Sequence, residues 1–418
     1  MALDRAFVKR AARDAGFDLV GIASPEPFAR EQAIALERLR DGFMGQLPWY
    51  TEARVRRGCD PRAILPTARS IISVACSYYS GPNPSLTGGG RSHSNRSSQM
   101  EQGAGGGGSV RPQHAPSGRV ARYAWWRDYH IVMKKRLRRL AALLAEQRGR
   151  PFAHKLYVDD GPMLDREVAR RAGLGFTGKN TNTLTSIGSW VFLGQLITDL
   201  DLAPDRPLTR SCGSCRACIP ACPTGAISPE YVLDSNKCIA YLTIEHRGPI
   251  PRDLRPLMGD WLFGCDICQD VCPVNLRRAA PARAPLSEPV NTRLDLADLL
   301  EMDQAAFDER FAGSPIRRAK LVGMQRNACI ALGNLRAAHA VPALAKALQN
   351  APPLVRGHAA WALGRIATVE ASGALRDALA TETDEWVREE ITLGLSATAW
   401  YLDSNTQDRR RDPCPQPW

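Results

Sequence analysis

Cys212-x2-Cys215-x2-Cys218-x3-Cys222-Pro223 opens a stretch that passes a single Cys238 and closes on Cys265-x2-Cys268-x3-Cys272-Pro273. Two-residue gaps let successive thiolates reach neighbouring corners of one iron–sulfur cube. The x3-Cys-Pro step starts a helix that carries its thiolate towards a second cube. Three ligands plus one, taken twice, give two [4Fe–4S] clusters. The spacing assigns Cys212, Cys215, Cys218 and Cys272 to the first and Cys238, Cys265, Cys268 and Cys222 to the second. Cys238 stands for the first Cys of a second run, opened by an insertion that holds Tyr241, His246 and Trp261. Structural zinc uses two Cys pairs with a longer gap and no Cys-Pro, and disulfides need an oxidising compartment, so both are weaker readings.

At 418 residues, 44% hydrophobic and 23% charged, the chain has room for two to four domains with sizeable cores, and its composition excludes a disordered or fibrous protein. No apolar run approaches the roughly 18 residues of a membrane span, and Met1-Ala2-Leu3-Asp4-Arg5-Ala6-Phe7 is no signal sequence, so a cytoplasmic protein is expected, with no membrane partner. Of the twelve cysteines, Cys59, Cys76, Cys329 and Cys414 remain as ordinary thiols. A net charge of +12 and a pI near 9.3 point to a polyanion, with nucleic acid the leading candidate.

Before the cysteines, the pattern is that of an α/β layer. Phe7, Val8, Ala11, Ala12 and Ala15 predict a helix, Phe17 to Ala23 a strand, Glu31 to Arg40 a helix and Ile71 to Cys76 a strand. Residues 81–118, rich in Gly and Ser, cannot bury enough surface to offset their conformational entropy. They read as a disordered insertion inside the domain, with the strands on either side still needing each other. A helix follows Asp128, its N-cap, with Ile131, Val132, Leu137, Leu140, Leu143 and Leu144 as apolar positions. From Gly118 to Arg150 ten Lys or Arg face only Asp128 and Glu146. Interleaved with Tyr123, Trp125, Trp126 and Tyr129, they could grip phosphates and stack on bases, or form a solvated helix face over core aromatics. A strand through Val158 delivers Asp159 and Asp160 to its end; a helix from Met163 to Arg171 feeds the loop Gly173-x-Gly175-x-x-Gly178-Lys179-Asn180. That loop follows a helix instead of a strand, which argues against a dinucleotide site. Trp190 to Ile197 is a buried strand. Past Asn275, Ala331-Leu332-Gly333 recurs as Ala362-Leu363-Gly364, and Val355-Arg356 as Val387-Arg388: a helical-hairpin repeat of HEAT type.

Taken together these segments resemble the epoxyqueuosine reductases. The resemblance is carried by Phe17 to Gly21, Leu65-Pro66-x-Ala68-Arg69-Ser70, Arg122-Tyr123-Ala124-Trp125 with Asp128-Tyr129-His130, and Val158-Asp159 with Pro162 and Leu164. It continues through Ala172 to Gly175, Gly178-Lys179-Asn180-Thr181, Gly188-Ser189-Trp190, both cysteine runs and Pro273-Val274-Asn275. It implies an α+β multidomain fold: an α/β cobalamin-binding catalytic domain at 1–205, a ferredoxin-like 2x[4Fe–4S] domain at 206–285, HEAT-like helical repeats at 286–400 and a mobile tail at 401–418. It further implies reduction of the epoxide of epoxyqueuosine at the tRNA wobble position to queuosine. Electrons from an external low-potential donor would pass through two [4Fe–4S] clusters to cobalamin (B12), whose cob(II) to cob(I) reduction yields a strong nucleophile. Asp159 matches the family's proton donor, and burial beside the corrin should raise its pKa. Asp160 replaces a small residue, and is expected to face solvent. Lys179, Asn180 and Arg57 are candidate corrin contacts. The partner would be tRNA carrying epoxyqueuosine in its anticodon region, bound by a monomer.

Three departures stand out: Ala124 where some relatives have a Cys near the corrin, Gln195 where an acidic residue is expected, and the 81–118 insertion. Asp128-Tyr129-His130 ends in Met133 instead of completing Asp-x-His-x-x-Gly, so no histidine lower ligand is expected. The alternatives are a reductive dehalogenase-like enzyme acting on a small molecule and a non-catalytic iron–sulfur electron-transfer protein, which would have no use for the first two hundred residues.

Overall fold

The computed structural model describes residues 3–81, 115–277 and 290–408. The expectations for the body of the 81–118 insertion, for Cys414 and for the end of the tail fall outside these residues.

The catalytic layer is a four-stranded sheet of order β1-β2-β7-β4, built from β1 (Leu19–Ala23), β2 (Ser70–Ser77), β4 (His154–Tyr157) and β7 (Val191–Thr198), with every neighbour antiparallel. Strands covered on both faces read as near-continuous apolar runs, which is why Ile71 to Cys76 and Phe192 to Ile197 lack alternation. On one face pack α1 (Arg5–Asp14) and α5 (Tyr129–Arg148). The other carries α2 (Ala29–Arg40), α3 (Glu52–Gly58), the single turn α4 (Pro61–Ile64) and α6 (Asp165–Arg171). Gly21 of β1 has no room for a Cβ against the Ala172 carbonyl at the end of α6, so strand and helix meet backbone to backbone. A hairpin of β5 (Gly175–Thr177) and β6 (Thr183–Thr185) follows α6.

Helix α5 begins where its N-cap predicts: Asp128 accepts a hydrogen bond from the His130 amide at 2.9 Å, and Gly149 closes the helix at φ 74°. Its core face is Tyr129, Met133, Leu137, Leu140 and Leu144. Ile131, two positions off that stripe, is 46% exposed, correcting its place among the apolar positions, and Val132 and Leu143 are only half-buried. Asp128→Ala removes the cap and is expected to cost about 1 kcal/mol in denaturant unfolding.

Two further expectations change. The strand after the insertion, β3 (Ser117–Val120), does not rejoin the first sheet. It lies between β8 (Trp261–Phe263), parallel, and β9 (Arg293–Asp295), antiparallel. Arg119 decides this pairing, because its guanidinium stacks at 4.3 Å on Trp261 and binds Asp260 at 2.5 Å. One small sheet thus stitches together strands from the catalytic, cysteine-rich and repeat segments. The second change is at the C-terminus, where the last helix continues through Asp408, past the expected boundary at 401. No Gly or Pro interrupts the sequence from Ser396 to Asp408.

The cysteine-rich segment contains α7 (Ile239–Ile244), α8 (Ile267–Asp270) and α9 (Pro273–Leu276), and leads through α10 (Leu296–Glu301) and α11 (Gln304–Arg310) into the repeats. These are α12 (Lys320–Asn334) with α13 (Val341–Asn350), α14 (Pro353–Ile366) with α15 (Val369–Thr381), and α16 (Glu385–Asp408). The recurring glycine has a steric cause. A Cβ on Gly333 would lie 2.7 Å from the Trp361 ring, and one on Gly364 would lie 2.6 Å from the Gly394 backbone, so these glycines let α12, α14 and α16 approach closely. Val355 and Val387, the other repeated position, are both fully buried. No helix among the described residues is long and apolar enough to cross a membrane.

Candidate active site and cluster ligands

Strand β4 ends at Tyr157 and the chain turns sharply through Val158, Asp159 and Asp160. Asp159 takes a left-handed φ of 58°, a conformation that Asp and Asn tolerate better than most residues. Helix α3 clamps this turn from outside: Arg54 donates to the Gly161 carbonyl at 2.5 Å, and Gly58 packs on the Pro162 carbonyl with no space for a side chain. The Asp159 carboxylate is exposed, and its Oδ2 accepts a 3.0 Å hydrogen bond from the Tyr129 hydroxyl. Tyr129 is itself fixed, stacking on Phe192 at 4.3 Å and on His130 at 4.2 Å. Burial, and then the Asp159 charge, push the Tyr129 hydroxyl well above its usual range, so it stays protonated and donates.

Asp160 is exposed but engaged: it forms an ion pair with Lys134 and accepts from the Val158 amide at 3.0 Å. Burial works to raise its pKa, but Lys134, the Val158 amide and His130 together take it below the usual carboxylate value. Its charge is therefore compensated from α5.

The eight cysteine thiols proposed as cluster ligands lie close enough to act on one another electrostatically. Burial pushes up the Cys218 thiol, and the charges of Cys212, Cys272 and Cys215 push it further. Burial acts likewise on Cys268, followed among the thiols by Cys238, Cys218 and Cys222, and on Cys265, beside Cys238 and Cys268. Cys218, which the spacing assigns to the first cluster, also acts on Cys268 of the second, so the two sets of thiols adjoin. No three His, Cys, Asp or Glu side chains among the described residues close round a single metal ion. Cys59, Cys76 and Cys329, outside the array, are buried.

The glycine loop is joined to this module. Lys179 is buried and pairs with Glu230 at 3.1 Å, while Asn180 donates to the Cys268 carbonyl at 3.1 Å and Asn182 lies 3.7 Å from the Cys268 sulfur. The side chains of Lys179 and Asn180 are thus committed to the cluster module. Arg57, on α3, is exposed. A second join is fully buried: the Ser189 amide donates to Asn275 Oδ1 at 2.8 Å, and Gln269 donates to the Ser189 carbonyl at 3.1 Å.

The basic stretch divides between interior and surface. Arg119 binds Asp260, and Arg136 donates to the Gly16 carbonyl at 2.8 Å. Arg122 is 2% exposed, with the Gly81 carbonyl at 2.7 Å and the Trp190 ring at 4.7 Å. Trp125, Trp126 and Tyr129 are core aromatics. Arg127, Lys135, Arg138 and Arg139 remain exposed. Ala124, where a thiol was considered, is wholly buried.

Sequence reasoning missed Tyr129 as the partner of Asp159, Lys134 as the partner of Asp160, and Arg54 as the clamp. The only local signal was Tyr129-His130 directly behind an N-cap.

Residues 58–160 match the family described as Epoxyqueuosine reductase QueG, DUF1730. An epoxyqueuosine reductase of Alicycliphilus denitrificans is 39% identical over 370 residues, covering 85% of this chain and 96% of the relative. The chain belongs to the epoxyqueuosine reductase family. A Bacillus cereus epoxyqueuosine reductase is 34% identical over 92% of this chain and 94% of its own length. Residues 211–275 match a 4Fe-4S double cluster binding domain and residues 322–396 match HEAT repeats. Among solved structures, an epoxyqueuosine reductase crystallised with an epoxyqueuosine-modified tRNA-Tyr stem loop superposes with a TM-score of 0.81 at 30% identity, over 94% of this chain and 98% of that one. The epoxyqueuosine reductase of Bacillus subtilis, captured with the catalytic loop of its aspartate swung out of the active site, gives 0.79 at 29% identity over the same shares.

Proposed function

We propose that this chain reduces the epoxide of epoxyqueuosine in tRNA to the cyclopentene of queuosine, with electrons from an external low-potential donor passing through two [4Fe–4S] clusters. The observation that carries the reading is the Asp159 turn. An exposed carboxyl, oriented by a buried tyrosine, stands on the same rigid domain whose glycine loop is bonded to the cluster ligand Cys268. Cobalamin would be held by the main chain of the 178–182 loop and by Arg57, and would supply a cobalt centre able to deliver electrons to carbon. The residues of this chain do the rest. Tyr129 fixes the Asp159 carboxyl, Asp159 gives its proton to the oxygen leaving the opened epoxide, and Lys134 holds Asp160 as a compensated carboxylate beside it. Such an enzyme works on tRNA in the cytoplasm, as a monomer.

The test is an anaerobic turnover with cluster-reconstituted protein, a low-potential reductant and tRNA bearing epoxyqueuosine, with cobalamin present or withheld. Digested nucleosides are read by mass spectrometry. Queuosine formed only with cobalamin supports the reading. Intact clusters without product overturn it and bring forward a small-molecule substrate.

The tRNA partner has its own check. Log affinity should fall steeply with log salt, and reversing the exposed Arg127, Lys135, Arg138 and Arg139 to Glu should flatten the slope by about 3 if each meets a phosphate. A salt-independent affinity removes nucleic acid as the partner.

A further inference from the structure

The Asp159 site has a second wall, which the proposed reaction has not used, and it is made where the repeats begin. Arg318 lies in the short turn Pro315–Ala319 that leads into α12. Its Nε donates to Glu245 Oε1 at 2.8 Å and its Nη2 to Glu245 Oε2 at 3.0 Å. Glu245 ends α7 of the cluster module. Arg247 braces the same turn, donating to the Arg318 carbonyl at 2.7 Å and to the Ala319 carbonyl at 3.2 Å. Asp159 is within electrostatic reach of this pair. The Glu245 hydrogen bond holds the Arg318 guanidinium above its usual range; burial works against it, and the Glu245 and Asp159 charges add to it. Burial, and then the Asp159 and Glu245 charges, push the Tyr123 hydroxyl well above its usual range, and Tyr123 stands edge-on to Tyr129 at 6.2 Å. Asp159, Tyr123, Glu245 and Arg318 thus gather round one mouth, although they come from the catalytic domain, the cluster module and the repeats.

A guanidinium carries five N–H donors in a fixed fork. Glu245 takes two; the other three of Arg318 have no partner among the described residues, and its side chain is 53% exposed. A guanidinium locked along one edge and open along the other suits an anion. The local charge leaves room for one, because Glu245 sits between Arg318 and Arg247, the latter 4.0 Å away, so that two cations face one carboxylate. The turn is also continuous with the exposed basic residues at the start of α5. The Gly313 carbonyl accepts from the Asp128 amide at 2.7 Å, and a Cβ on Gly313 would lie 3.9 Å from Nε of the exposed Arg127.

Under the proposed reaction the substituent of a wobble base must reach Asp159, and the anion that every nucleotide of an RNA offers to a guanidinium is its phosphodiester. We propose that Arg318, buttressed by Glu245, binds a phosphodiester next to the wobble nucleotide and so sets how far the base extends towards Asp159. Arg318 is then a binding residue with no share in the proton transfer. Cobalamin also carries a phosphodiester; the continuity of this turn with Arg127 selects the RNA, and the experiment separates the two. The inference rests on the proposed substrate, but the contact is read from binding, without turnover.

Anticodon stem loops bearing epoxyqueuosine test it, bound to the full-length, cluster-loaded protein, with a neutral methylphosphonate replacing the phosphodiester on one side or the other of the wobble nucleotide. Arg318→Gln should weaken binding of the natural stem loop about tenfold, the worth of one charge-assisted hydrogen bond, and reduce the salt slope by about 1. One of the two methylphosphonates should weaken wild-type binding by the same factor and Arg318→Gln no further, because both changes remove one contact. A mere brace between cluster module and repeats would change unfolding and iron content without this coupling. Arg318→Lys, which keeps the charge but not the fork, should recover part of the loss, and takes the place of Arg318→Gln in the cycle if that variant fails to fold. Arg318→Gln with wild-type affinity, losses that add instead of merging, wild-type protein indifferent to both methylphosphonates, or an affinity lost for cobalamin and not for RNA overturns the inference. Wild-type protein that shows the coupling but makes no queuosine overturns the proposed reaction instead.

Discussion

Asp159→Asn is expected to lower turnover of epoxyqueuosine-containing tRNA by about 100- to 10,000-fold, the usual worth of a positioned proton donor, while cluster content and tRNA affinity stay at wild-type levels. The selectivity follows from the geometry. The carboxylate is exposed, and its side-chain hydrogen bond comes from the Tyr129 hydroxyl. Asparagine keeps the size of the side chain, keeps an oxygen for Tyr129 to donate to, and tolerates the left-handed φ of 58° that alanine would strain. What it loses is the proton. Single-turnover rates on nucleoside digests, with iron content and salt-dependent tRNA binding measured in parallel, check the result. An Asp159→Asn protein that still turns over removes Asp159 from the chemistry. Tyr129→Phe should give a smaller fall, because it frees the carboxyl to turn without taking the proton away.

How much of this was legible in the sequence depended on distance along the chain. The cluster module was written locally, as fixed spacings ending in Cys-Pro, and residues 211–275 match a 4Fe-4S double cluster binding domain. The repeats were legible because Gly333 and Gly364 mark the same close helix crossing twice. Asp159 was legible only through resemblance, since a strand ending in two aspartates has no meaning by spacing alone. What was not legible is long-range. Nothing near Arg119 says that it will stack on Trp261, and so nothing told the strand after the insertion to leave the first sheet. The density of Arg and Lys between Gly118 and Arg150 suggested one basic surface, yet Arg122 is internal and Arg136 half-buried because carbonyls far away in sequence, of Gly81 and Gly16, wait for them. Lys179 and Asn180 were read from their motif as facing a ligand, and their side chains instead fasten the glycine loop to the cluster module. Gln195 drew notice only as a departure from an expected acid. Its register between Ser73 and Tyr157 buries it in the sheet, where its amide donates to the Asp165 carbonyl.

The largest stability effect is expected at Glu390 on α16, far from any chemistry. Its carboxylate is 1% exposed and takes two hydrogen bonds from Arg255, at 2.9 and 2.7 Å, and one from Arg252 at 3.1 Å. Arg255 is equally buried and also donates to the Ile250 carbonyl at 2.8 Å. It belongs to the insertion between Cys238 and Cys265, so this pair fastens the cluster module to the last repeat. Glu390→Ala leaves a guanidinium buried without its anion, and should cost about 3–5 kcal/mol. Denaturant unfolding measures the loss, and iron release on dilution reports whether the insertion loosens round Cys238 and Cys265. The double variant Glu390→Met with Arg255→Met removes both charges and should recover most of the loss, because a well-packed apolar pair often equals a buried ion pair. A single-variant cost below about 1 kcal/mol, in the range of exposed ion pairs, would mean that the apolar contacts of the insertion, and not this ion pair, hold the repeats to the clusters.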